Sequence, residues 1–319
     1  MALHRKNLVT LFLASRPQFL TASASPVLVG SVLGFAIAGT FNWPIFLLAL
    51  FATMALHSGA NITNDYFDSL SGNDWLNKNV TPFSGGRQFI QQNILSPWTT
   101  LAAALFCFAL GATLGLIILY LTRSRFILIL GLVGLLGGFF YTAPPLKLSY
   151  RSVGEIAIAF LFGILPVYGS YYLQTGLISF TPLPAACVVG ILIFLIIFTN
   201  EFPDLPADAA VNKKTLVVRF GVPVSVLIYR IAVISVFVIM VAGVFVSRVM
   251  VWPLLLYLLF GLPTSVAAMS FVNIHDVSTP GPTQHRACAI TIILHLIGSL
   301  ALVFGGIIQV LLHGIKFLV

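Results

Sequence analysis

The run PAACVVGILIFLIIFTNEF, residues 184–202, holds no charged residue until its penultimate position, Glu201. A helix needs about 20 predominantly apolar residues to cross the hydrocarbon of a bilayer. The run is continuous rather than alternating, which selects a helix over a barrel strand. Directly after it come Asp204 and Asp208, so a membrane segment ends in three closely spaced carboxylates.

The rest of the chain repeats this fabric. It is 59% hydrophobic and only 8% charged over 319 residues, with a mean hydropathy of +1.05, too apolar for a water-soluble globule. Nine spans are expected, near 18–38, 44–66, 98–121, 125–143, 153–174, 184–202, 222–246, 251–272 and 288–312. No Pro/Gly/Ser-rich linker or change of composition divides them, so one all-α integral-membrane domain is expected over residues 1–319. Cys107, Cys187 and Cys288 each fall within a span, without pairing or metal-ligand spacing, and read as packing residues. The stretch Leu8 to Ala14, cut short by Arg16 and Pro17, is too brief for a cleaved signal peptide.

With nine spans, the loops sort into two faces. One carries Arg5, Lys6, Arg16, Lys78, Arg87, Lys147, Arg151, Lys213, Lys214, Arg219 and Arg286; the other carries Arg123, Arg125, Arg248 and Lys316. The positive-inside rule puts the first face, and with it the N-terminus, in the cytoplasm, as in a bacterial or archaeal plasma (inner) membrane. The net charge of +8 then reports topology and contact with anionic lipid heads rather than nucleic-acid binding.

Carboxylates are scarce and unevenly placed. Of the eight in the chain, Asp65, Asp68 and Asp74 form one cluster, and Glu201, Asp204 and Asp208 another. All eight, including Glu155 and Asp276, sit in or beside segments of the expected cytoplasmic face. Acids retained at the edge of apolar segments are costly and mark a functional site by default. The clusters also echo one another, since Asn64-Asp65 with Asp68 and Asn200-Glu201 with Asp204 begin 136 residues apart. Pseudo-repeats that meet at a site are common in membrane folds.

At helical spacing, Asn61, Asn64, Asp65 and Asp68 share a face, and His57 extends it by one turn. Glu201, Asp204 and Asp208 follow the same spacing, with Pro203 and Pro206 threatening the helix there. Hard oxygen ligands suit Mg²⁺, which uses one or two carboxylates and completes its shell with phosphate oxygens and water. The expected metal-site residues are Asn64, Asp65, Asp68, Asp74, Asn200, Glu201, Asp204 and Asp208. Arg87, Lys147, Lys213 and Lys214 lie close enough in sequence to bind diphosphate and offset charge developing on it.

Together these residues resemble the UbiA superfamily of intramembrane prenyltransferases. Asn64-Asp65-x-x-Asp68, continued to Asp74, resembles its first aspartate-rich motif, and Asp204-x-x-x-Asp208 its second. Arg16-Pro17, Tyr141 through Lys147, and Lys213 through Gly221 extend the likeness over nearly the whole chain. The resemblance implies a helical bundle around a central cavity open to lipid, with its active site at the cytoplasmic face. It implies Mg²⁺, an isoprenyl diphosphate donor drawn from the membrane lipid phase, and an aromatic acceptor. The implied catalytic residues are Asp65, Asp68, Asp204, Asp208, Tyr141 and Lys147. Residues Asn64 to Asp74, with Gly72, look most like the menaquinone branch, which prenylates 1,4-dihydroxy-2-naphthoate. The 4-hydroxybenzoate branch has Arg where this chain has Ser69.

Three alternatives stand beside this reading. Paired acidic half-sites also suit a cation-coupled transporter, although transport sites lie near the membrane midplane rather than at one face. A CDP-alcohol phosphotransferase is also intramembrane and aspartate-rich, but its Asp-Gly and Ala-Arg signature is absent. The same fold could serve 4-hydroxybenzoate, homogentisate, haem, a chlorophyll precursor or a lipid glycerophosphate instead.

Overall fold

A computed structural model describes residues 9–313 of the chain. Arg5, Lys6 and Lys316, which contributed to the orientation, and Leu8 lie outside the described residues. The apolar runs fold as helices α1 (Pro17–Ala38), α2 (Trp43–Ser71), α3 (Pro97–Thr122), α4 (Arg125–Phe140), α5 (Gly154–Thr175), α6 (Leu183–Ala210), α7 (Leu216–Val246), α8 (Arg248–Phe271) and α9 (Pro282–Leu312). Among the described residues, eight of these are long and apolar enough to cross a membrane, and the chain is an integral, multi-pass membrane protein.

The exception is α4. The span expected at 125–143 is a helix of 16 residues, roughly 24 Å at the helical rise, short of the roughly 30 Å hydrocarbon. Its apolar run leads into Ala143-Pro144-Pro145, and a residue before proline is pushed out of helical conformation. A second difference lies in α6, which continues through Pro203 and Pro206 to Ala210. Proline at 203 has no N–H for the carbonyl of Thr199. The Cys288 thiol of α9 takes that place, with its Sγ 3.7 Å from Thr199 O. A neighbouring helix therefore satisfies the group that would otherwise break α6.

The bundle is layered by burial. Helices α6 and α1 are the most enclosed, and α3 leaves Phe106, Leu116 and Tyr120 exposed on its outer side, as lipid permits. Helix α2 packs along α3, α1 along α5 and α9, and α6 along α7, α9 and the middle of α5. The α5–α6 approach is close because Gly163 meets Gly190: a side chain on Gly163 would fall 2.5 Å from Gly190 Cα. Small residues allow this kind of contact between membrane helices, where packing rather than water exclusion holds them together.

The charged ends of α2 and α6 lie at the same end of the bundle. Helix α2 stops at Gly72, whose φ of 84° is a left-handed conformation that glycine adopts readily. The chain then turns into the short helix Asn73–Leu76 and a loop through Gly85 and Gly86 that lies over the end of α6.

Candidate active site

A cavity of about 140 Å³ opens between the ends of α1, α2, α5 and α6. Its walls divide by chemistry. Toward the loops it is lined by Asn64, Asp68, Asp74, Glu201, Asp204 and Asp208, and deeper in the bundle by Phe19, Ala60, Phe162, Ile193, Ile196 and Ile197. Helical spacing accounts for the polar wall, since residues three and four apart stack on one face of α2 and one face of α6.

On α2 itself, Asp65 and Asp68 each have a cationic partner. Arg16, just ahead of α1, forms an ion pair with Asp65 and donates from Nη2 to Asn64 Oδ1 at 3.1 Å. Lys213 lies with its Nζ 2.9 Å from Asp68 Oδ2. Asp68 also accepts from Asn64 Nδ2 at 2.9 Å and from the Tyr150 hydroxyl at 2.9 Å.

On the α6 side, the partners are mostly neutral. Asn73 Nδ2 donates to Asp208 Oδ1 at 2.8 Å, and Asn77 Nδ2 to Asp204 Oδ1 at 2.7 Å. The Gly85 amide donates to Asp204 Oδ2 at 3.1 Å. Lys213 reaches this side as well, at 3.5 Å from Asp208 Oδ1, and so spans both clusters. Gly86 lets the loop come close: a side chain there would fall 3.1 Å from Asp74 Oδ2 and 3.2 Å from Asp65 Oδ1.

Outside the spans, the charges shift as this enclosure dictates. Burial alone would lower the Lys213 ammonium, yet Asp208 and Asp68 outweigh it and hold the group well above its ordinary value. For Arg16, burial is likewise outweighed by Asp65, and the guanidinium is held above its usual value. Burial, followed by the charges of Asp68 and Asp65, pushes the Asp74 carboxyl up to about 9. The Tyr141 hydroxyl is raised well above its ordinary value by burial and then by Glu155 and Glu201, so it stays protonated and can donate into the cavity it lines.

The structure brings together Asn64, Asp68, Asp74, Asn200, Glu201, Asp204, Asp208, Tyr141 and Lys213 on the cavity wall, with Asp65 directly behind it on Arg16. Three other residues named from the sequence lie elsewhere. Arg87 holds the chain ahead of α1, donating from Nε to Leu13 O at 3.1 Å and from Nη2 to Gln18 Oε1 at 2.6 Å. Lys147 stands over the Tyr150 ring, its Nζ 5.6 Å from the centroid. Lys214 is exposed, and its carbonyl accepts from Ser152 Oγ at 2.6 Å. In the other direction, Arg16, Asn73, Asn77, Tyr150 and Gly85 meet at the site although no sequence pattern marked a catalytic role for them. Glu155, also buried, accepts from the Leu216 amide at 2.6 Å and caps the start of α7.

The donor set suits a hard divalent cation. Asp74 Oδ2, Asn200 Oδ1 and Glu201 Oε2 are buried oxygens without a hydrogen-bond partner, a costly state that a cation would relieve. In the present arrangement no three His, Cys, Asp or Glu side chains converge as a ligand group among the described residues. The reason is on the wall itself: Arg16, Lys213, Asn73 and Asn77 occupy the carboxylate oxygens, and a bound cation competes with them.

The UbiA prenyltransferase family model matches residues 23–284, from α1 into the start of α9. The chain belongs to the UbiA prenyltransferase family. It is therefore placed among transferases, and the transporter and phosphotransferase alternatives fall away. The 2-carboxy-1,4-naphthoquinone phytyltransferase of Synechocystis is 28% identical over 297 residues, 92% of this chain and 91% of that protein. The 1,4-dihydroxy-2-naphthoate octaprenyltransferase of Mycobacterium tuberculosis is 31% identical over 207 residues, 65% of this chain and 68% of that one. Both names agree with the naphthoate branch expected from the first motif. Among solved structures, a UbiA homolog from Archaeoglobus fulgidus bound to DMAPP and Mg²⁺ superposes with a TM-score of 0.67 at 15% identity, over 95% of this chain and 99% of that one. This likeness carries the fold.

Proposed function

We propose that the chain transfers a polyprenyl group from an isoprenyl diphosphate to 1,4-dihydroxy-2-naphthoate, with Mg²⁺ as cofactor. The observation that carries this reading is Lys213 bridging Asp68 and Asp208 above an apolar wall. One end of the cavity suits a charged head and the other a hydrocarbon tail, and the naphthoate names of the relatives supply the acceptor class.

Mg²⁺ held by the oxygens of Asp65, Asp68, Asp74, Asp204 and Asp208, with Asn64, Asn200 and Glu201 beside them, would supply charge stabilisation to the departing diphosphate. The protein's own groups do the rest. Arg16 and Lys213 sit where negative charge accumulates as the allylic C–O bond breaks and its electron pair leaves with diphosphate. Phe19, Phe162 and the isoleucines of α6 keep water from the allylic cation, which would otherwise be hydrolysed. Tyr141 presents a neutral hydroxyl to the acceptor, whose ring carbon forms the new C–C bond and releases its carboxylate as carbon dioxide. On this reading residues 1–319 act as one domain. The charged end faces the cytoplasm of a prokaryotic plasma membrane with the N-terminus on the same side, in accord with the excess of Lys and Arg there.

The test is direct. Purified protein with Mg²⁺ and a radiolabelled isoprenyl diphosphate is offered 1,4-dihydroxy-2-naphthoate, 4-hydroxybenzoate and homogentisate. Labelled product with the naphthoate is expected. Product with none of them, and no Mg²⁺-dependent retention of the diphosphate, would sink the proposal; product with another acceptor alone would move the chain to another branch.

A further inference from the structure

Among the described residues, two histidines lie buried within the spans, and each meets a serine of α1. His295 of α9 has its Nε2 3.0 Å from Ser25 Oγ, is 0% exposed and stands outside the reaction cavity, so its contact ends as a link between helices. His57 of α2 has its Nδ1 2.6 Å from Ser23 Oγ and lines the reaction cavity. Its Nε2 makes no hydrogen bond with any described residue, yet it is not among the nitrogens sealed from open space. That nitrogen therefore meets the cavity unpartnered, on a side chain that is only 8% exposed.

The imidazole is held from two sides. Ser23 meets it at Nδ1, and Phe162 of α5 packs against it with ring centroids 4.6 Å apart and planes tilted by 57°. Phe162 sits in the π-helical turn Ala159–Ile164, a local widening frequently found at functional sites. The partner of one ring nitrogen settles what the other presents. With Nδ1–H donated to Ser23 Oγ, Nε2 offers its lone pair to a donor in the cavity.

Depth selects the ligand. His57 stands seven residues before Asn64 and eleven before Asp68 on one continuous helix, about 10 and 16 Å deeper at the helical rise. Asn61, one turn nearer the rim, donates from Nδ2 to the Ser15 carbonyl at 3.0 Å. The wall around His57 is otherwise apolar, with Ala60, Phe162, Ile193 and Ile196. A hydrocarbon tail has no donor for the nitrogen, and a diphosphate among the carboxylates lies too far above it. A hydroxylated aromatic ring brings both an apolar body and an O–H.

We propose that His57 Nε2 accepts a hydrogen bond from a ring hydroxyl of the acceptor, and that Ser23 is the positioning residue that turns the imidazole to receive it. The inference rests on the prenyl-transfer reading above. It makes the pair a determinant of acceptor choice, because a ring without that hydroxyl leaves a buried nitrogen unpaired. The bond also draws the hydroxyl proton toward the imidazole, which enriches the ring carbons ortho and para to that oxygen for attack on the allylic cation.

His57→Phe, His57→Gln and Ser23→Ala are compared with the unsubstituted protein, using 1,4-dihydroxy-2-naphthoate as substrate and 1-hydroxy-2-naphthoate and 4-hydroxy-2-naphthoate as competitive inhibitors. For His57→Phe the expected result is a loss of about 10–100-fold in kcat/KM for the dihydroxy acceptor, with the donor KM within about twofold of the parent. One of the two inhibitors, the one lacking the bonded hydroxyl, should keep its Ki within about twofold, while the other weakens with the substrate. His57→Gln, which still offers an acceptor oxygen, should fall between His57→Phe and the parent. Ser23→Ala should show the same pattern with a loss of about 3–10-fold, and carries the comparison if His57→Phe does not fold. Equal loss for all three ring compounds, or no loss in any folded variant, overturns the inference while leaving prenyl transfer intact. A donor KM that rises as much as the acceptor's assigns His57 to the donor and also overturns it. A parent protein that prenylates no hydroxylated ring removes the prenyl-transfer reading and this inference with it.

Discussion

The two acidic clusters look alike in sequence and are treated differently by the fold. On α2, Asp65 and Asp68 face charged partners, Arg16 and Lys213. On α6, Asp204 has only amide donors, and Asp208 has an amide and a more distant share of Lys213. The partners are also exchanged. Asn73, Asn77 and Gly85 follow α2 in the chain but bond carboxylates of α6, while Lys213 follows α6 but bonds Asp68 of α2. Each half supplies the donors that hold the other. Asp65 and Asp68 are each offset by a cation, and the unpartnered oxygens belong to Asp74, Asn200 and Glu201. Two of these three lie on α6, which makes that side the stronger attractor for a cation.

The largest test of this comparison is metal removal. Chelation is expected to abolish prenyl transfer, and added Mg²⁺ to restore it; turnover that survives chelation would mean the α6 charge has another purpose. Next come Asp68→Asn and Asp204→Asn, each expected to lower turnover on the order of 10²–10³-fold. Their effects on stability should part company. Asp68→Asn strips a buried ammonium of its nearest partner and should cost about 3–5 kcal/mol. Asp204→Asn disturbs only neutral donors and should cost about 1–3 kcal/mol. Matching losses in detergent denaturation would show that the two clusters are held equivalently after all.

Arg16→Gln should lower turnover by roughly 10–100-fold, since it removes charge at the diphosphate end but leaves Lys213 in place. Asn77→Ala should have a smaller effect, about 1 kcal/mol of stability from one lost hydrogen bond. Neighbours in sequence should differ most sharply: Lys213→Ala should abolish detectable turnover, whereas Lys214→Ala should leave it within about twofold, its side chain being solvated. An inactive Lys214→Ala protein would mean that the loop presents both lysines to the substrate.

The helices were legible in the sequence because a bilayer leaves so few other ways to satisfy backbone groups, and runs such as 184–202 meet that demand with hardly any charge. Where helix and apolar run part company, the cause is local: prolines after α4, and in α6 a thiol from α9 that replaces a lost donor. The carboxylates were equally legible, because an acid at a membrane edge is costly enough to stand out. Their partners were not. Asn73 and Asn77 carry no such cost and look like loop residues until the turn at Gly72 brings them over α6. Lys213 and Lys214 have the same sequence neighbourhood, and only the backbone course after Asp208 decides which of them turns inward. Proximity in sequence suggested Arg87 and Lys147 as diphosphate ligands; in the structure Arg87 bonds Gln18 and Lys147 stands over the Tyr150 ring.

The span of Lys213 between the two clusters also sets an order of events during synthesis. Arg16 emerges before Asp65, so that carboxylate can be neutralised as soon as the second helix enters the membrane. Asp68 must wait for a lysine 145 residues further along. While the four helices between them are inserted, the growing chain holds Asp68 at the bilayer edge without its cationic partner. The arrival of that lysine supplies the partner of Asp68 and, at the same time, ties it to Asp208.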